Sequence, residues 1–125
     1  MNNLTGEIIS AAIEVHRTLG PGLLESVYEK ALAKELNIRG LSVETQKPVD
    51  VIYKGVKVAD DLRLDMIVED KVIVELKSVE ELKNVHYKQL QTYLRLLDKS
   101  VGLLINFNVF YLKDGIHRVV NNYRE

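Results

Sequence analysis

Leu62–Ser78 reads LRLDMIVEDKVIVELKS, and the fold follows from how this stretch is parsed. Two apolar runs flank the polar break Glu69-Asp70-Lys71, which is the pattern of a β-hairpin. Asp65 lies in the first arm, and Glu75-Leu76-Lys77 follows ten residues later in the second. Two acids and a lysine on inner strands lower stability unless something uses them.

Strand parity makes the expectation concrete. In the first arm Leu62, Leu64, Met66 and Val68 take one face, and Arg63, Asp65 and Ile67 the other. In the second arm Val72, Val74 and Leu76 oppose Ile73, Glu75 and Lys77. The apolar sets coincide only if even-numbered residues of both arms face one core, which brings Asp65, Glu75 and Lys77 to the same side. That register needs an odd-numbered loop or a bulge, and Glu69-Asp70-Lys71 supplies three residues. A two-residue loop would put the two acids on opposite faces.

Working outward, residues 79–98 return to helical spacing. Leu82, Val85, Leu90, Leu94 and Leu97 form one stripe, with Gln89 and Tyr93 beside it. Val101–Phe107 is a continuous apolar run, as in a strand buried on both faces. A turn at Lys113-Asp114-Gly115 and a last strand from Ile116 to Val120 follow. On the other side, residues 41–53 and Val56–Val58 read as a strand pair turning at Lys54-Gly55, with Pro48 indicating an edge or a bulge. Before these come two helices, over 3–19 and 23–39, separated by the stop Gly20-Pro21-Gly22. Leu24, Val27, Ala31, Leu32 and Leu36 make the expected buried stripe of the second. Glu25 falls in its first turn, where the helix dipole alone would favour an acid by about 0.3–1 kcal/mol.

The expected order is thus α-α-β-β-β-β-α-β-β. A crossover through the 79–98 helix makes its flanking strands parallel, and helices cover both faces of a mixed sheet. The expected fold is an α/β sandwich formed by residues 1–125 as one domain.

Composition bounds the function. A hydrophobic content of 46% and a charged content of 28% are those of an ordinary soluble globular protein. No apolar run approaches the roughly 20 residues that cross a bilayer, and MNNLTGEIIS does not read as a signal peptide, so a cytoplasmic protein with no membrane partner is expected. Zero cysteines exclude disulfides and thiolate metal sites. The 17 basic against 18 acidic residues give a net charge of −1, whereas a non-specific duplex binder is usually basic. Any nucleic-acid contact must therefore use local positive charge or metal ions.

Two carboxylates about 4 Å apart repel by roughly 4 kcal/mol at an effective dielectric of 20. A hard cation such as Mg²⁺ removes that repulsion and takes its remaining oxygens from water and phosphate. Lys77, two residues from Glu75 on the same face, suits activation of a water and stabilisation of charge on a phosphate. The alternative is an ion pair of Glu75 with Lys77, worth about 1 kcal/mol or less if exposed.

At these residues the chain resembles a known family. Asp65 followed by Glu75-Leu76-Lys77 is similar to the PD-(D/E)XK nuclease signature, with Leu64 where the family has proline. Gly22-Leu23-Leu24-Glu25-Ser26-Val27-Tyr28 resembles the GxxExxY pattern that names a small prokaryotic family of that superfamily. Gln89-Leu90-Gln91-Thr92-Tyr93 resembles the QxxxY element of its lambda-exonuclease and RecB-type branch. The resemblance implies a restriction-endonuclease-like three-layer α/β/α sandwich with a mixed sheet. It implies that Asp65, Glu75 and the Leu76 carbonyl hold Mg²⁺ or Mn²⁺, with Glu25 reaching the same ion. Lys77 would act in water activation. Gln89, Tyr93, Tyr28 and His16 would orient the site or contact nucleic acid, a packing role being the alternative for His16. The implied activity is divalent-metal-dependent hydrolysis of nucleic acid, DNA before RNA. The competing expectation is a nuclease-fold binding or assembly module that is non-catalytic or needs a partner. A homodimer is expected, because so small a domain has little surface with which to grip a duplex.

Overall fold

The computed structural model describes residues 2–121. Two helices, α1 (Asn2–Leu19) and α2 (Glu25–Ile38), precede strands β1 (Val43–Tyr53), β2 (Val56–Val68) and β3 (Val72–Lys77). Helix α3 (Asn84–Leu97), β4 (Val101–Asn106), a 3₁₀ turn (Leu112–Gly115) and β5 (Ile116–Val120) follow. The five strands form one sheet in chain order. β3 and β4 are parallel, joined by the α3 crossover, and every other neighbouring pair is antiparallel. The sheet is therefore mixed, and the fold is α/β of the restriction-endonuclease-like kind.

Each face of the sheet carries its own core. Ile8, Ala11, Ala12 and Val15 of α1 and Tyr28, Leu32 and Leu36 of α2 pack on Met66, Val68, Val74, Leu76, Leu103 and Ile105. Leu90, Tyr93 and Leu94 of α3 pack on Ile67, Ile73, Leu104 and Val119 from the other side. Gly102 permits that close approach, since a Cβ there would stand 2.8 Å from a Leu90 methyl. No helix among the described residues is long and apolar enough to cross a membrane.

Four expectations change. Val56–Val68 is one strand of 13 residues, not two. Ala59-Asp60-Asp61 contains no glycine or proline to turn the chain, and it stays paired with β1 through register shifts around Val51. The α2 stripe is Tyr28, Leu32 and Leu36, which leaves Leu24 73% and Val27 39% exposed. In α3 Val85 is exposed, and Tyr93 takes a buried place beside Leu90 and Leu94.

The fourth change concerns the hairpin. Met66↔Val74, Ile67↔Ile73 and Val68↔Val72 pair as the three-residue loop requires. Leu62 and Leu64, however, pack with the α3 core, while Met66 and Val68 pack with the α1/α2 core. The strand turns over between them. Gln46, between the ladder pairs Thr45↔Met66 and Lys47↔Leu64, has φ 52°, a left-handed conformation that rotates the strand and is uncommon for a residue with a side chain. Asp65 lies at this turnover. Pro48 is on β1, an edge strand, where a missing N–H is tolerated.

Candidate active site

Continued by one residue beyond Met66↔Val74, the β2–β3 register sets Asp65 opposite Glu75, and each side chain accepts a bond from a backbone N–H of the other strand. The Asp65 N–H donates to a Glu75 carboxylate oxygen at 2.8 Å, and the Leu76 N–H donates to Asp65 Oδ2 at 2.8 Å. Each acid thus replaces a rung of the ladder where β2 diverges from β3. Glu75 is 3% exposed. Burial first, and then the Asp65 charge, push its carboxyl up to about 8. Burial raises Asp65 as well, against the Leu76 N–H and the Lys77 charge. Lys77 acts electrostatically on both acids, and so does Glu25, in the opposite sense.

Glu25 stands in the first turn of α2, at the rim of a cleft of about 430 Å³ that it lines with Ser26, Glu29, Gln46, Asp65 and Leu76. The turn before α2 is held in three ways. Gly22 takes φ 96°, which a side chain would disfavour. The buried Tyr28 hydroxyl donates to the Gly20 carbonyl and accepts from the Leu23 N–H, while its ring stacks on Phe107 at 4.4 Å. Ser78, one residue beyond Lys77, donates to the Leu23 carbonyl at 2.6 Å. Glycine, glutamate and tyrosine at this spacing therefore form one device: the turn, the acid it presents and the clamp beneath it. Tyr28 acts on Glu25 through the backbone.

On the α3 side the Tyr93 hydroxyl donates to the Arg63 carbonyl at 3.2 Å and accepts from Gln89 at 3.4 Å. Burial raises the Tyr93 hydroxyl, and the Glu75 charge adds to the shift. His16 lies at the end of α1. It is buried, bonded to the Val109 carbonyl at 2.8 Å and tilted against Phe107, and it supports the loop after β4.

Two residues of the cleft were missed from sequence. Glu29 accepts from Gln46 Nε2 at 2.7 Å. Burial raises its carboxyl and the Asp65 charge adds to this, against the Gln46 bond. Glu29 could have been found, because it lies four residues from Glu25 on the same face of α2. Gln46 had no such signal, since its importance comes from standing at the turnover opposite Asp65.

The donors suit a hard divalent cation: they are oxygens, and the buried Glu75 and half-buried Asp65 carboxylates face each other where a positive charge would relieve the repulsion. Among the described residues no three His, Asp or Glu side chains are already grouped as an ion site. Compared with known families, residues 2–119 match the model described as the PD-(D/E)XK nuclease superfamily. No curated protein and no solved structure matches the chain.

Proposed function

The chain belongs to the PD-(D/E)XK nuclease superfamily, and from that premise we propose that it hydrolyses phosphodiester bonds of DNA with the help of a divalent cation. The observation that carries this reading is the pair of cross-strand bonds, Asp65 N–H to the Glu75 carboxylate and Leu76 N–H to the Asp65 carboxylate, beside Lys77 at a cleft that Glu25 borders. Mg²⁺ or Mn²⁺ would be held by Asp65 and Glu75, with the Leu76 carbonyl and Glu25, and would supply charge neutralisation and a more acidic water. Lys77 orients the attacking water and stabilises charge on the phosphate. The water oxygen bonds to phosphorus, the ester P–O bond breaks, and a proton passes to the departing oxygen. Tyr93 and Gln89 hold the α3 side of the site in place.

Gly22, Glu25 and Tyr28 support placing the chain in the GxxExxY family, and Gln89 with Tyr93 supports the lambda-exonuclease and RecB-type branch. Residues 1–125 act in this reading as one cytoplasmic domain, which pairs as a homodimer to hold DNA. A second reading, a binding or assembly module without turnover, draws support from the exposed Glu25 and from the absence of a ready-grouped set of three acids among the described residues.

Metal titration separates the two readings. At a hundredfold excess over its Kd, Mg²⁺ or Mn²⁺ stabilises the wild type by about 2.7 kcal/mol, and Asp65→Ala abolishes the rise in melting temperature. Cleavage of DNA needs the metal and falls about a hundredfold or more in Lys77→Ala. Stabilisation by metal without cleavage selects the binding module. No stabilisation at all removes the metal site from both readings.

A further inference from the structure

We infer that Phe110 and Tyr111 form an aromatic shelf that receives unpaired bases, so that the site takes single-stranded or frayed nucleic acid in preference to intact duplex. This substrate class rests on the phosphodiester-cleaving reading above.

Phe110 is 83% exposed and Tyr111 61%. The two rings meet edge to face, 4.8 Å between centroids and 72° between planes. Their loop is held from three sides. His16 bonds to the Val109 carbonyl, Leu112 is buried, and Gly115 lies so close to β4 that a Cβ would stand 2.2 Å from the Asn106 carbonyl oxygen. The backbone that carries the two exposed rings is thus held before any ligand arrives, which lowers the entropic cost of stacking on them.

The loop begins beside the backbone of Lys77. Asn106 pairs with Lys77 across the parallel strands, and the Phe107 N–H donates to the Lys77 carbonyl at 2.9 Å. Phe110 follows Asn106 by four residues, so its backbone lies within roughly 14 Å of that point even if the chain is fully extended. Beside the rings runs a cleft of about 350 Å³ bordered by Arg17 and Lys113. Arg17 pairs with Glu14 at the surface, and an exposed pair of this kind gives way to a phosphate at little cost. Aromatic faces next to cations are what a single strand recognises. A duplex keeps its base faces inside the stack and cannot use the shelf.

Fluorescence anisotropy in Ca²⁺ tests this with an oligothymidine and an abasic strand of the same length, which keeps the phosphates and lacks the bases. Phe110→Ala, a change at the surface, should weaken oligothymidine binding about tenfold, leave the abasic strand unaffected, and be reversed in Phe110→Trp. Equal weakening of both strands, or none of either, overturns the shelf. If the wild type still cleaves DNA in those cases, the nuclease reading survives without it. Binding that depends on Phe110 with no cleavage in Mg²⁺ or Mn²⁺ supports the shelf and overturns the hydrolytic reading. A wild type that binds neither strand overturns the shelf, and cleavage of duplex then decides the nuclease reading separately.

Discussion

Glu75 concentrates the physical chemistry of the site. Its carboxyl titrates near 4.5 in an unfolded chain and near 8 in the fold, raised by burial and then by Asp65. Between those values the folded protein holds a proton that the unfolded chain has released, so stability falls as pH rises. The contribution is complete below about 4.5 and is lost as pH passes through about 8. Urea melts in EDTA should show this decline, with a slope of at most about 1.4 kcal/mol per pH unit. Glu75→Gln, which keeps the acceptor for the Asp65 N–H and cannot ionise, should flatten it. An unchanged slope in the variant would assign the titration to another group.

At the scale of elements, the turn before α2 and the turnover of the β1–β2 pair bring separate pieces of chain to one place. Tyr28→Phe keeps the stacking on Phe107 and removes the bonds to Gly20 and Leu23, so it should cost about 1–3 kcal/mol and lower metal affinity by loosening Glu25. Calorimetry and a metal titration together check this, and an unchanged metal affinity would make Tyr28 a core residue only. The elements also mark how far the sequence could be read. The odd loop of the hairpin was legible because parity leaves one register that keeps both apolar sets inside. The reversal at Asp65 was not, because Leu62 and Leu64 are as apolar as Met66 and Val68, and residue type does not say which of two cores receives them. Leu24 was read as buried on spacing alone, yet Tyr28 fills that side of α2 and leaves Leu24 in solvent.

In the molecule as a whole, the two cores and the sheet between them were legible in outline, since the crossover rule fixes β3 and β4 as parallel neighbours once α3 is recognised. Which side chains touch across the layers was not, because such contacts depend on distances that periodicity does not contain. Gly102 is one example. Gly102→Val would drive a branched side chain into Leu90 and the Ile73 carbonyl, and it should destabilise the protein by about 1–3 kcal/mol. Thermal melts would report this, and a neutral result would mean that α3 can move away from the sheet freely. The bonds that the Asp65 and Glu75 carboxylates accept across the two strands have a consequence of another kind. The acids are seated by the strand pairing itself, so a chain with a slipped or half-formed hairpin has no assembled centre. Under the proposed hydrolytic reading, a copy that mispairs this hairpin lacks the seat for its cation as well as part of its sheet, so loss of correct pairing and loss of activity coincide.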